Sequence, residues 1–283
     1  MSRSILVGIL KLLRLPYWLM TGGISLLMLA AFRGGNLNVS VALLTFFSMA
    51  LLGSAGFAIN DFFDRETDAI IKPHRPIPAG EISPKLAVSI SFVLFISALL
   101  LSYFINWLCF AIVLIDAVLL ILYSLYIKKK SGFFANVLVG CLTGTAFLYG
   151  EASGFGGIST ASMSIYPVCF GTIGGNILRD ILSMDGDSKV GYPTLPRSLG
   201  LKMSARVAVL FFLICAFSTP LPYIFHVFGE GYLICMLIWS LLIIGSSAIL
   251  LKTTSFDNVQ RIERIITMSM ILLPIALLIE AFL

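Results

Sequence analysis

Apolar residues gather in runs of roughly twenty along this chain, and short polar segments separate the runs. A helix needs about 20 mostly apolar residues to cross a bilayer. Candidates fall at about 15–32, 40–59, 86–105, 107–127, 133–150, 165–182, 205–225, 231–251 and 265–282. The pattern predicts an all-α integral membrane protein, a bundle of about nine transmembrane helices forming one polytopic domain over residues 1–283.

Composition agrees. The chain is 59% hydrophobic and 12% charged, with a mean hydropathy of +1.02, where soluble domains carry roughly 25% charged residues. The N-terminus runs into its first apolar stretch with no small-residue cleavage site, so no cleavable signal peptide is expected. The five cysteines (Cys109, Cys141, Cys169, Cys215, Cys235) sit inside apolar segments without a CxxC pair and read as small buried hydrophobes.

A net charge of +5 raises the question of nucleic acid, and the placement of the cations answers it. With the N-terminus inside, the inner segments hold Arg3, Lys11, Arg14, Arg65, Lys72, Arg75, Lys85, Lys128, Lys129, Lys130, Lys189, Arg197, Lys202, Arg206, Lys252, Arg261 and Arg264. Arg179 lies near the inner end of its span. Only Arg33 falls outside, so 18 of the 19 Lys and Arg residues are inside. The positive-inside rule then predicts a multi-pass cell-membrane protein with a cytoplasmic N-terminus and an odd number of spans. No nucleic-acid partner is indicated, and no segment points to an obligate protein partner.

The outer connections carry little charge. The two longest inner loops, about 61–85 and 183–204, combine Asp, Lys, Arg, Pro and Gly, and follow the second and sixth spans, as an ancient duplication would arrange them. Of 14 acidic residues, seven fall in two short clusters, NDFFDRETDAIIKPHRPIPAG and RDILSMDGDSKVGYPTLPRSLG. Crowded carboxylates repel, so each cluster needs a cation. In the first, Asn60, Asp64 and Asp68 share one helical stripe, with Asp61 on the flank. An amide oxygen and stacked carboxylates suit Mg2+, which combines a few such ligands with phosphate oxygens and water. Lys72 and Arg75 follow as diphosphate partners. In the second, Asn176, Asp180, Ser183 and Asp187 share a face if the helix continues, although Gly186 interrupts it and Asp185 points elsewhere. Lys189 and Arg197 complete a phosphate shell. The plain alternative for either cluster is a solvated helix end; the pairing of the two favours a metal–diphosphate site.

Together the two elements resemble the UbiA superfamily of intramembrane prenyltransferases. The resemblance covers nearly the whole chain, through KLLRLPYW, NDFFDRETDAIIKPHRPIPAG, LYSLYIKKKSGFFANVLVG and RDILSMDGDSKVGYPTLPRSLG. It implies a nine-helix bundle with a cytoplasm-facing catalytic cavity open sideways to lipid. The first motif matches without a gap. In the second, Ser183 stands where many members carry Asp.

The resemblance implies transfer of a prenyl group from a polyprenyl diphosphate, geranylgeranyl diphosphate by preference, to a lipophilic acceptor. Mg2+ and cationic side chains would stabilise the departing diphosphate. It assigns the catalytic carboxylates to Asp64, Asp68 and Asp180, and the metal ligands to Asn60, Asp64 and Asp68 with Asp180 and Asp187, the last preferred over Asp185. Diphosphate contacts would be Arg14, Lys72, Arg75, Lys128 and Lys189, with Arg14 and Lys128 resting on the resemblance alone. The allylic cation needs aromatic faces and exclusion of water. Tyr123, Tyr126 and Phe57 lie near the right level, against a plain packing role for each.

Smaller features are weighed beside these. Asp116, in the middle of the fourth span, is either functional or a structural hydrogen-bond acceptor. His74 reads as a solvated loop histidine and His226 as structural. Gly140, Gly144, Gly171, Gly174 and Gly175 suit close helix packing in lipid. Lys128–Lys130 also serve as a topology signal.

A cation-coupled transporter would place its polar residues near mid-membrane, whereas these gather at one face. A phosphotransferase working on nucleotide-activated lipid would carry a DG…AR…G…D…D pattern, which is absent. The acceptor stays open among an aromatic acid, a naphthoquinone precursor, a tetrapyrrole acid and a glycerol phosphate lipid. RPIPAG and TLP tilt the reading toward archaeal ether-lipid synthesis, with geranylgeranylglyceryl phosphate as acceptor.

Overall fold

In the computed structural model, which describes residues 3–282, every regular element is helical. The side chain of Arg3, one of the inner cations above, lies outside the described residues. α1 (Arg3–Leu13) leads through a 3-10 turn and a π-helical turn into α2 (Ile24–Arg33). α3 (Val39–Phe63) and the short α4 (Arg65–Ile71) precede α5 (Pro84–Tyr103). α6 (Trp107–Leu122) passes through a π-helical turn, Tyr123–Ile127, into α7 (Lys128–Lys130). α8 (Gly132–Phe155), α9 (Thr160–Ile165), α10 (Phe170–Leu182) and α11 (Met184–Val190) follow. α12 (Leu195–Ser218), α13 (Leu221–Ile224), α14 (Glu230–Lys252), α15 (Phe256–Ser269) and α16 (Leu272–Phe282) complete the bundle.

Polar caps set where the long helices begin. Asn38, Ser83, Asn106 and Ser131 each accept a hydrogen bond from the first turn of α3, α5, α6 and α8, which satisfies amides that have no partner inside the helix. Among the described residues, eight helical stretches are long and apolar enough to cross a membrane. The ninth predicted span, 165–182, is helical but broken. Pro167 lies in a 3-10 turn between α9 and α10, α10 has only 13 residues, and Arg179 and Asp180 fall in its last turns. The first stretch starts earlier than predicted because α1 continues it across a bend at Arg14 (φ 49).

Two interior clusters hold the bundle. One joins α8, α10, α12 and α14 to α16 around Phe212, Tyr232, Trp239 and Ile243; the other joins α3, α5, α6 and α8 around Ala55, Val113 and Tyr149. Small residues permit the close crossings. A Cβ on Gly174 would lie 2.7 Å from Phe212 Cε1 and 2.9 Å from the Ala208 carbonyl oxygen, so α10 and α12 touch there, as the glycine pattern predicts. Gly175 is different: its nearest neighbour would be Arg179 Nη2 at 3.5 Å. Phe92, Trp107, Leu241 and Met268 are each at least 66% exposed on the outer faces, an arrangement suited to lipid contact.

The intramembrane Asp116 is buried, and Thr145 Oγ1 donates to its Oδ2 at 2.6 Å, which is the structural hydrogen bond among its two readings. All five cysteines are free thiols. His226 sits in the turn after α13, with φ 56 and its N–H donating to Tyr223 O at 2.9 Å. A third, smaller cluster (Leu12, Ile77, Ile82, Ala58 and Ala87) packs α1 over the loop after α4. That packing places Arg14 and the Lys72–Arg75 segment beside the end of α3.

Candidate active site

α3 continues through Asn60 and Asp61, and Asp64 joins it to α4. The backbone keeps helical spacing across the joint: Asp64 N donates to Asn60 O at 2.9 Å and Asp68 N to Asp64 O at 2.7 Å. Asn60, Asp64 and Asp68 therefore form the stripe that the sequence predicts.

Asp61, Asp64 and Asp68 are only 2%, 2% and 5% exposed. Three buried carboxylates are tolerable only with countercharges, and basic side chains supply them from three separate segments. Arg14 Nη2 lies 2.6 Å from Asp61 Oδ1, and Arg75 Nη1 reaches Asp61 Oδ1 at 3.0 Å and Asp68 Oδ2 at 2.5 Å. Lys128 pairs with Asp64 Oδ2, which also accepts from Asn60 Nδ2 at 2.9 Å. Asp61, on the flank of the predicted stripe, is thus the residue that ties two arginines together. Its place one step off a metal-like stripe is the only sequence signal for that role; the two arginines come from the fold.

Burial raises the pKa of Asp68 above the usual carboxylate range, and Arg75 offsets only part of the rise. Lys72 is solvent-accessible at the rim. Partial desolvation and the neighbouring Arg75, Lys128 and Arg14 lower its pKa, against a smaller opposing pull from Asp68. Four cations thus crowd one spot, which is the electrostatics of a polyanion site. Lys189 does not join them. It is exposed in the last turn of α11 and makes no ion pair among the described residues.

In the second element, Asp180 Oδ2 accepts from Asn136 Nδ2 of α8 at 2.7 Å, a partner that sequence reading did not single out. α10 stops at Leu182, and Ser183 joins it to α11, yet Asp187 N still donates to Ser183 O at 3.0 Å. Ser183 Oγ donates to Asp187 Oδ2 at 2.6 Å, so the residue that replaces the usual Asp holds the later carboxylate. Asp185 is exposed, as predicted for the residue off the face. Asn176 turns to Arg179, accepting from Nη2 at 2.8 Å. Arg197 turns to the Tyr192 carbonyl.

The two elements meet. A Cβ on Gly186 would lie 3.1 Å from Ile71 Cγ2, so α11 packs on α4. Tyr192, just past α11, donates its hydroxyl to Asp64 Oδ1 at 2.9 Å, and burial raises the pKa of its phenol. Of the three candidate aromatics, Tyr123 opens the π-helical turn that leads to Lys128. Phe57 is engaged by Arg14 and Tyr17 instead, and Tyr126 is 53% exposed beneath Lys130.

The donor set fits a hard cation. Asn60 Oδ1 is buried with no hydrogen-bond partner among the described residues, an acceptor whose burial is costly unless something engages it. Among the described residues no three His, Cys, Asp or Glu side chains converge on one point. An ion here would draw on an amide oxygen, a few carboxylates and substrate or water oxygens, as Mg2+ commonly does.

The helical bundle thus carries paired acidic elements and a cationic rim together at one end. The model of the UbiA prenyltransferase family matches residues 18–271, and the chain belongs to that family; it is an enzyme that transfers prenyl groups. It is 36% identical to the digeranylgeranylglyceryl phosphate synthase of Natronomonas pharaonis over 81% of this chain and 82% of the relative. The enzyme of that name from Methanocaldococcus jannaschii is 34% identical over 87% and 86%. A solved structure of digeranylgeranylglyceryl phosphate synthase in membranes superposes with a TM-score of 0.84 at 30% identity, over 98% of each chain. A UbiA homologue from Archaeoglobus fulgidus bound to GPP and Mg2+ shares the fold at 20% identity, with a TM-score of 0.69 over 95% of this chain and 99% of that one.

Proposed function

We propose that this chain transfers a geranylgeranyl group from geranylgeranyl diphosphate to the free hydroxyl of geranylgeranylglyceryl phosphate, in a Mg2+-dependent reaction. The observation that carries the acceptor is the similarity to synthases of that name, at 34% to 39% identity over most of the chain. Asn60, Asp64 and Asp68, with Asp180 and Asp187, would hold Mg2+, which when bound would supply positive charge to the departing diphosphate. In this reading Arg14, Lys72, Arg75 and Lys128 bind and orient the diphosphate. The bond between its oxygen and the allylic C1 breaks, and the electron pair leaves with the diphosphate. Tyr123 presents a ring face to the allylic cation and excludes water from it. The acceptor oxygen then bonds to C1, and its proton passes to the released diphosphate. Lys189, exposed and without an ion pair among the described residues, serves the rim rather than the reacting phosphates.

In this reading residues 1–283 act as one catalytic unit without a protein partner. The basic end of the bundle is cytoplasmic by the positive-inside rule, so the site opens to soluble diphosphates. The paired acidic elements and the cations that answer them gather at that end, an arrangement that suits a phosphate site and not a mid-membrane ion path.

The test uses purified protein, Mg2+ and radiolabelled geranylgeranyl diphosphate with four acceptors: geranylgeranylglyceryl phosphate, 4-hydroxybenzoate, a dihydroxynaphthoate and chlorophyllide. Labelling of the first alone is expected. Labelling of an aromatic or tetrapyrrole acceptor overturns the acceptor assignment, and an unconsumed diphosphate overturns the donor.

A further inference from the structure

Asp64 receives a hydroxyl donor from the far acidic element, 128 residues away in sequence. Gly191 ends α11 with φ 76, a left-handed conformation that glycine adopts without strain, and turns the chain back toward α4. The next residue, Tyr192, is held on both sides of its backbone. Its N–H donates to Asp187 O at 3.1 Å, and its carbonyl accepts from Thr194 N at 3.0 Å and from Arg197. The Pro193 carbonyl accepts from Gly132 N at 2.9 Å, which anchors the same turn to the start of α8.

The side chain so presented reaches three groups of the first site. Its ring centre lies 4.9 Å from Lys128 Nζ. Its hydroxyl lies 2.9 Å from Asp64 Oδ1 and 3.0 Å from Thr67 Oγ1. An ionised carboxylate only accepts, so the phenol proton goes to Asp64. Tyr192 thereby occupies Oδ1, while Oδ2 faces Asn60 and Lys128.

We infer that Tyr192 is the positioning residue of the first metal site. It fixes which oxygen of Asp64 is offered to the cation, and it makes that offer conditional on the seating of α11 against α4. Mg2+ loading at the Asn60–Asp64–Asp68 stripe is then coupled to the second acidic element, although the coupling residue ligates nothing. The inference rests on the proposed role of Asp64 as a ligand. Partners of this kind orient metal ligands, and their loss typically weakens metal binding about 10- to 100-fold.

The experiment uses the full chain in detergent with Mn2+ alone as the probe, read by electron paramagnetic resonance without turnover. Tyr192→Phe is expected to weaken Mn2+ binding about tenfold. The Mg2+ concentration for half-maximal rate should rise by the same factor, so that excess Mg2+ recovers the rate. A tyrosine that only supports the fold would lower the melting temperature and the rate together and leave the Mn2+ dissociation constant where it was; that result overturns the inference. Thr67→Val removes only the hydroxyl beside the phenol and is expected to shift Mn2+ binding in the same direction by a smaller factor. If Tyr192→Phe does not fold, an unchanged dissociation constant in Thr67→Val overturns the inference instead. Wild-type protein that binds Mn2+ but alkylates no acceptor counts against the proposed reaction and leaves the positioning role standing.

Discussion

Asn136 Nδ2 donates to Asp180 Oδ2 at 2.7 Å, so α8 supplies the hydrogen bond that orients the first carboxylate of α10. Asn136 is buried, at 9% exposure. Asn136→Ala is expected to lower turnover about tenfold or more, by freeing Asp180 to rotate. Asn136→Asp should cost more, because two carboxylates at that separation repel. Steady-state rates on protein that elutes as a single species check the order, and full activity in Asn136→Ala would remove Asp180 from the site.

Asp61 holds Arg14 and Arg75 together through one oxygen, at 2.6 and 3.0 Å. Asp61→Asn keeps the shape and loses the charge, which leaves two arginines less anchored beside the diphosphate position. The KM for the prenyl diphosphate is expected to rise about tenfold, with Mg2+ dependence little changed. A larger effect on Mg2+ half-saturation than on KM would make Asp61 a metal ligand.

Asp64→Ala and Asp68→Ala are each expected to abolish turnover in a folded, membrane-inserted protein, and chelation of Mg2+ by EDTA should do the same reversibly. Retained activity in both variants ends the metal assignment. Asp180→Ala should be far more damaging than Asp185→Ala, since Asp185 is exposed and Asp180 is held by Asn136. Equal losses would mean that α11 turns its other face to the substrate.

Gly174 tests the packing that carries the second element. With Phe212 Cε1 at 2.7 Å and the Ala208 carbonyl at 2.9 Å from an added Cβ, Gly174→Val must push α10 off α12. Overpacking of this kind costs about 1–3 kcal/mol. A lower melting temperature in detergent is expected, accompanied by lost activity because Asp180 rides on α10. An unchanged melting temperature would show that the helices separate there freely.

Much of the bundle was legible in the linear pattern, since hydrocarbon accepts only backbones whose hydrogen bonds are satisfied internally and each helical crossing needs a long apolar run. The span that resisted this reading, 165–182, carries a proline turn and two charges in its last turns, so length and polarity there pull in opposite directions. The stripe of Asn60, Asp64 and Asp68 was equally legible, because helical periodicity alone puts residues four apart on one face.

What the order of residues could not disclose is which distant groups would answer those carboxylates. Asp61 finds Arg14 across 47 positions, Asp180 finds Asn136 across 44, and Asp64 finds Tyr192 across 128. Each partner lies on a different helix or turn, and only the crossing of those helices brings it within hydrogen-bond reach. Periodicity is a local property of the backbone and can be read from spacing. Pairing across the bundle depends on which faces pack, and that is a property of the whole fold: glycine contacts such as Gly174 on Phe212 and turns such as Gly191 decided it.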